Sequence, residues 1–134
     1  MVGGAVLAQF VAAELECDFV FAEQIGAGTD DASYRVPASL RSRLRGARVL
    51  LIDDVVNAGS AWEATLSDVL ECGARPVGFG TLITMGTAAE EIARRHGAPL
   101  IALAELERNL WAPDLCPLCR AGVPLSFGLL RREV

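Results

Sequence analysis

An α/β fold with a doubly wound, mainly parallel sheet is the architecture this sequence predicts. Three observations carry that expectation. Apolar runs at 19–22, 49–52, 76–84 and 99–103 are short and read as buried strands. Stretches of helical period stand between them, and strands alternating with helices favour parallel pairing. Glycines punctuate the helices: Gly3-Gly4 at the entry of the first, Gly73 and Gly97 after later ones. The 134 residues suffice for one domain with a real core, and a hydrophobic content of 52% excludes disorder.

Residues 1–16 read as a helix with an apolar stripe of Val6, Leu7, Phe10, Val11 and Leu15. The first strand is placed at 18–23, around Phe19-Val20-Phe21-Ala22. Residues 24–47 are polar and Arg-rich. Gly26, Gly28 and the Asp30-Asp31 pair suggest a mobile loop covering about 25–47. Gly26-Ala27-Gly28 does not make a dinucleotide-binding turn, because Asp31 stands where the third glycine belongs and no apolar helix follows.

The strand at 49–52 leads into Asp53 and Asp54, then a turn of Asn57, Ala58, Gly59 and Ser60. Ser60 and Glu63 have capping-box spacing, and Trp62, Leu66, Val69 and Leu70 form the core stripe of the helix they open. In the strand at 76–84, glycines admit a close neighbour. Thr87 and Glu90 are a second capping box, opening a helix that Gly97 ends. His96, the single histidine, falls in that helix's last turn, where partial positive charge suits the dipole, and it is read as structural. A short strand at 99–103 closes the core.

Chemistry concentrates at residues 53–61. Two carboxylates at the carboxyl end of a strand sit where open α/β sheets bind ligands. They suit sugar hydroxyls or a hydrated Mg²⁺. The turn and first helical turn after them leave N–H groups unpaired, which favours a phosphate. Acids for hydroxyls beside amides for phosphate describe a ribose 5-phosphate site.

The run from Val49 to Ala61, VLLIDDVVNAGSA, resembles the phosphoribosyl pyrophosphate (PRPP) signature of type I phosphoribosyltransferases. Gly3-Gly4 before an apolar helix is similar to the end of that family's pyrophosphate loop. Phe21-Ala22-Glu23 and the Arg-rich approach to the signature look like its orotate phosphoribosyltransferase branch. The resemblance covers most of residues 3–104. It implies transfer of ribose 5-phosphate from PRPP to a nitrogen base with release of pyrophosphate. Asp53 and Asp54 would be catalytic, holding the ribose hydroxyls and the Mg²⁺-bound substrate. Asn57, Ala58, Gly59, Ser60 and Ala61 would take the 5-phosphate, and Gly3 and Gly4 would be a remnant pyrophosphate site. Tyr34-Arg35 and the Arg41, Arg43, Arg45 run would be loop contacts, since Arg meets phosphate with a planar fork. A solvated basic turn is the alternative for Arg41–Arg45. The resemblance also implies a homodimer.

Departures matter. Asn57, Ala58 and Ala61 stand where the family usually has Thr. All 12 basic residues are Arg, so the family's loop lysine is missing. A strand that the family places before Gly3 is missing too, and the expectation is a start downstream of the true one, or else a shortened descendant. These departures keep a rival open: a ribose-phosphate-binding or regulatory module with impaired turnover.

The tail, 105–134, is read as a separate C-terminal extension following a core at 1–104. Its Trp111, Pro113 and Cys116-Pro117-Leu118-Cys119 are similar to a tail on some orotate phosphoribosyltransferase-like proteins. A single CxxC is half a zinc site, to be completed by Cys17 and Cys72 or by a second subunit. Redox chemistry would want the pair at a helix N-terminus, against which Pro117 argues. Ordinary packed thiols are the preferred reading, with a CxxC-based structural or redox subunit as a third functional class. A net charge of −5 argues against a nucleic-acid surface. No apolar stretch reaches the length of a membrane span, and the absence of a basic leader with four cysteines suggests reduced thiols in a cytoplasm.

Overall fold

The computed structural model describes residues 3–26, 33–109, 111–112 and 114–124. The chain runs α1 (Gly3–Glu14), β1 (Glu23–Ile25), β2 (Ser33–Arg35), α2 (Ala38–Arg41), a 3₁₀ turn (Ser42–Leu44), β3 (Arg48–Val56), α3 (Ser60–Glu71), β4 (Arg75–Met85), α4 (Ala88–Arg95), β5 (Leu100–Leu106) and α5 (Pro117–Arg120). β3, β4 and β5 form a parallel sheet in that order, with Asp53 opposite Thr81 and Thr81 opposite Ala102. The α/β class with a parallel sheet is therefore as expected. All three strands run past their expected apolar runs, β3 through the two acids to Val56, β4 by Arg75 and Met85, and β5 to Leu106.

Leu51, Val56 and Phe79 meet Trp62 and Leu66 of α3 and Ala89, Ile92 and Ala93 of α4 in the main core. The Trp62 and Phe79 rings lie 5.2 Å apart, within the range where aromatic pairs attract beyond simple burial. His96 is the C-cap of α4, with its ring 6.2 Å from that of Phe79. The glycines of β4 do admit a neighbour: a Cβ on Gly78 would lie 2.9 Å from Leu50 Cδ1, and one on Gly80 would lie 2.6 Å from Ile52 Cδ1.

Several local expectations are overturned. Phe19-Ala22 joins no sheet; β1 lies just after it and pairs antiparallel with β2, Glu23 opposite Arg35. Val20 and Ala22 instead pack into a second cluster with Val36, Leu44, Val69 and Ala74. Among the described residues the outer edge of β3 has no partner strand, and a cavity of about 450 Å³ separates it from Phe19 and Val20, so the extended run has no ladder to join. The α1 stripe is not buried either: Phe10 is 70% exposed, and Ala12 is the buried residue of the helix. Small residues let α1 lie close to β3, which turns Phe10 outward. In α3, Leu70 is exposed and Asp68 takes its place in the interior. Of the proposed loop at 25–47, residues 27–32 lie outside the described residues, and 33–44 form β2, α2 and the 3₁₀ turn.

Neither capping box forms as spaced. Gly59, not Ser60, is the N-cap of α3, at φ 78°, and Glu63 pairs with Arg95 instead of reaching back. Thr87 does cap α4, but its hydroxyl donates to Glu91, 2.8 Å away, and not to Glu90.

Candidate functional site

The carboxyl end of β3 collects the residues on which a ligand site was expected. Asp53 and Asp54 lie in the carboxyl-terminal half of that strand, before Val55 and Val56, and α1 begins directly on top of them. A Cβ on Gly4 would stand 2.2 Å from Asp53 Oδ1, and one on Gly3 would stand 2.0 Å from Asp54 Oδ2. Only glycine permits this approach. Gly3 and Gly4, some fifty residues away in sequence, thus face the acidic pair through bare backbone.

Each carboxylate is also tied locally. Asp53 Oδ1 accepts the Asp54 N–H at 2.9 Å, and Asp54 Oδ1 accepts the Val55 N–H at 2.9 Å. Burial raises the Asp53 carboxyl to about 6; the Asp54 N–H opposes that rise, and the neighbouring Asp54 carboxylate adds to it. Neither acid is ion-paired to a basic side chain among the described residues. The arrangement is a half-buried pair of hard oxygen donors, a donor set that fits a hydrated divalent cation or sugar hydroxyls.

The loop that follows turns on Gly59. Its positive φ would strain any other residue, and its Cβ would meet Ile92 Cδ1 at 2.7 Å. The turn delivers Ser60 and Ala61 as the first residues of α3, where helical geometry leaves N–H groups without carbonyl partners. Asn57, Ala58 and Ser60 are exposed, Ala61 is half-buried and Gly59 is buried. The loop thus offers backbone amides and the Ser60 hydroxyl at a helix N-terminus, groups whose chemistry suits an anion.

The arginines divert elsewhere. Arg41 Nη1 donates to Asp68 Oδ1 at 2.6 Å, Arg35 Nη1 lies 3.7 Å from the same oxygen, and the Val36 N–H donates to Asp68 Oδ2 at 2.8 Å. Burial pushes Asp68 up, but the Arg41 and Val36 hydrogen bonds outweigh it and hold the carboxyl below its usual range. Arg43 pairs with Asp18 at 2.8 Å. Arg41 therefore serves a buried carboxylate two turns along α3, with the exposed Arg35 side chain near the same oxygen. Tyr34, its neighbour, lines the cavity that also touches Gly4 and Asp53.

Sequence reasoning missed Thr81. It is 5% exposed, and its hydroxyl donates to the Asp54 carbonyl at 3.1 Å, fixing the strand end that carries the acids. A polar residue inside an apolar strand, in register with Asp53, was the available signal. The cysteines are not assembled: Cys72 packs in the second cluster, and no group of three or more metal-binding side chains occurs among the described residues. No helix among them is long and apolar enough to cross a membrane.

The family model for the phosphoribosyl transferase domain matches residues 1–98. The chain belongs to the phosphoribosyltransferase family. An orotate phosphoribosyltransferase of Thermus thermophilus is 33% identical over 127 residues, covering 93% of this chain and 63% of that protein. Among solved structures, orotate phosphoribosyltransferase from Aeropyrum pernix aligns with a TM-score of 0.56 at 24% identity, over 78% of this chain and 56% of that one. Adenine phosphoribosyltransferase from Thermoanaerobacter pseudethanolicus aligns with a TM-score of 0.63 at 17% identity, over 79% and 67%. At these identities the structural likenesses establish the fold. The chain spans about three fifths of the length of the curated relatives it matches, 60% and 63% for two of them.

Proposed function

We propose that residues 1–104 bind PRPP and related ribose 5-phosphates at the carboxyl end of β3, for transfer to a base of the orotate type. One observation carries the reading: Gly3 and Gly4 stand against Asp53 and Asp54, beside a loop that opens a helix. Asp53 and Asp54 would accept hydrogen bonds from the ribose hydroxyls, and residues 57–61 would take the 5-phosphate on N–H groups and the Ser60 hydroxyl. The backbone of Gly3 and Gly4 would approach the pyrophosphate. Mg²⁺ arriving with PRPP would be held near Asp53 and Asp54 and would supply charge neutralisation for the leaving pyrophosphate. Catalysis in such a site is positioning and charge stabilisation. Support for orotate over a purine base comes from the curated relatives, which carry that name. A homodimer belongs to the same proposal.

A second reading, binding with impaired turnover, is favoured by a specific observation. The 134 residues contain no lysine, and Arg41 is held by Asp68. Donors for a multiply charged leaving group are correspondingly few, and loss of one such contact costs on the order of 10²–10³ in rate. The expected result for this chain is ribose-phosphate binding with little orotidine 5-phosphate formation. Calorimetric titration with PRPP and Mg²⁺ tests the binding, with the Asp53→Asn/Asp54→Asn variant as control. That variant should bind about 1–3 kcal/mol more weakly. Equal affinity in parent and variant places the site elsewhere, and robust turnover removes the second reading.

A further inference from the structure

The CxxC segment is not packed, contrary to the preferred sequence reading. Cys116 is half-buried, Cys119 is exposed, and Leu115 and Leu118 around them are 59% and 53% exposed. Nor does Pro117 disqualify it. Proline occupies the first position of α5, where its missing N–H is no loss, and Cys116 precedes it as the N-cap. The segment is held by its own hydrogen bonds. Arg120 Nη2 donates to the Asp114 carbonyl at 3.2 Å, and the Gly122 and Val123 N–H groups donate to the Cys119 and Leu118 carbonyls at 3.1 and 3.0 Å. Cys116 Sγ accepts the Cys119 N–H at 3.4 Å. Residues three apart on a helical turn have Cα atoms about 5 Å apart, inside the span a disulfide bridges.

We propose that Cys116 and Cys119 are a reversible redox pair that exchanges with low-molecular-weight disulfides, Cys116 attacking and Cys119 resolving. The Cys116 thiolate attacks one sulfur of the external disulfide, whose S–S bond breaks and releases one thiolate. Cys119 gives its proton to solvent and attacks the Cys116 sulfur of the mixed disulfide. The second external thiolate leaves, and both leaving groups take up protons. The two protein thiols are oxidised to one disulfide, and the external disulfide is reduced to two thiols. The order of attack follows from geometry, because the Cys119 N–H stabilises a thiolate on Cys116 alone. That N–H, then the Cys119 thiol, lower the Cys116 pKa; the bond to Cys116 raises that of Cys119. Among the described residues Cys17 has no such partner, and Cys72 is packed in the second cluster.

The test uses the full chain, oxidised glutathione at neutral pH, and intact-mass and peptide mapping. The parent should lose two hydrogens, carry a Cys116–Cys119 link without retained glutathione at either position, and recover fully with dithiothreitol. Cys119→Ser should trap one glutathione on Cys116. Cys116→Ser should take up glutathione at Cys119 about tenfold more slowly than Cys119→Ser does at Cys116, reflecting thiolate availability. Stable glutathione on Cys116 of the parent, equal rates in the two variants, or a link between chains would each overturn the proposal. So would one zinc per two chains in protein purified without chelators, since both thiols would then be metal ligands.

Discussion

Replacing Asp53 by Asn should make the protein more stable at neutral pH and flatten its pH dependence between about pH 4 and 6. In the folded chain, burial and the adjacent Asp54 carboxylate raise the Asp53 carboxyl from 3.8 to about 6. A shift of roughly two units corresponds to about 3 kcal/mol, reduced to about 2 by partial access to solvent. Its sign follows from proton linkage. A carboxyl with a raised folded pKa holds its proton more tightly in the native state than in the unfolded one. The stability it contributes is complete below about pH 4 and is lost as pH rises through about 6. Asn keeps an oxygen acceptor for the Asp54 N–H and carries no charge at any pH. Urea unfolding followed by the fluorescence of buried Trp62 should therefore give similar stabilities for parent and Asp53→Asn at pH 4. At pH 7.5 the variant should be about 2 kcal/mol more stable. Asp68 does not confuse the comparison, because its carboxyl is lowered and its contribution disappears only as pH falls below the usual carboxylate range. Parallel curves for the two chains from pH 4 to 7.5 would refute the assignment of excess negative charge to this strand end. The same variant should bind ribose phosphates less well, so stability and binding move in opposite directions.

Gly4→Ala should cost about 1–3 kcal/mol in urea unfolding, because its Cβ would fall 2.2 Å from Asp53 Oδ1; an unchanged midpoint would mean α1 does not rest on the acids. Asp68→Ala should cost about 3–5 kcal/mol, since it strands Arg41 and the Val36 N–H, while a loss under about 0.5 kcal/mol, the usual surface range, would show the pair to be solvated. Gly59→Ala should destabilise by about 1–2 kcal/mol through backbone strain at φ 78° and should weaken phosphate binding in calorimetry. Thr81→Val keeps the volume but removes the donor to the Asp54 carbonyl; a loss of about 1 kcal/mol is expected from thermal unfolding.

The local chemistry of the candidate site was more legible than the packing around it. Four apolar residues, two acids and a glycine turn are local chemistry, and local chemistry survives in sequence. Asp53, Asp54 and Gly59 accordingly stand together where the strand-loop-helix reading put them. The alternation of strand and helix likewise determined the parallel β3-β4-β5 sheet. Partnerships across the chain were not legible, because they depend on what packs beside each element. Phe19-Ala22 has the composition of a strand, but a strand needs a neighbour, and here it faces a cavity. Asp68 reads as a polar interruption of α3, yet Arg41 and the Val36 N–H make burial affordable. Sequence alone determined which residues carry charge, turn or apolar surface. The tertiary structure decided which of them meet, because the free energy of a charge or an unpaired N–H is set by its neighbours and not by its own identity.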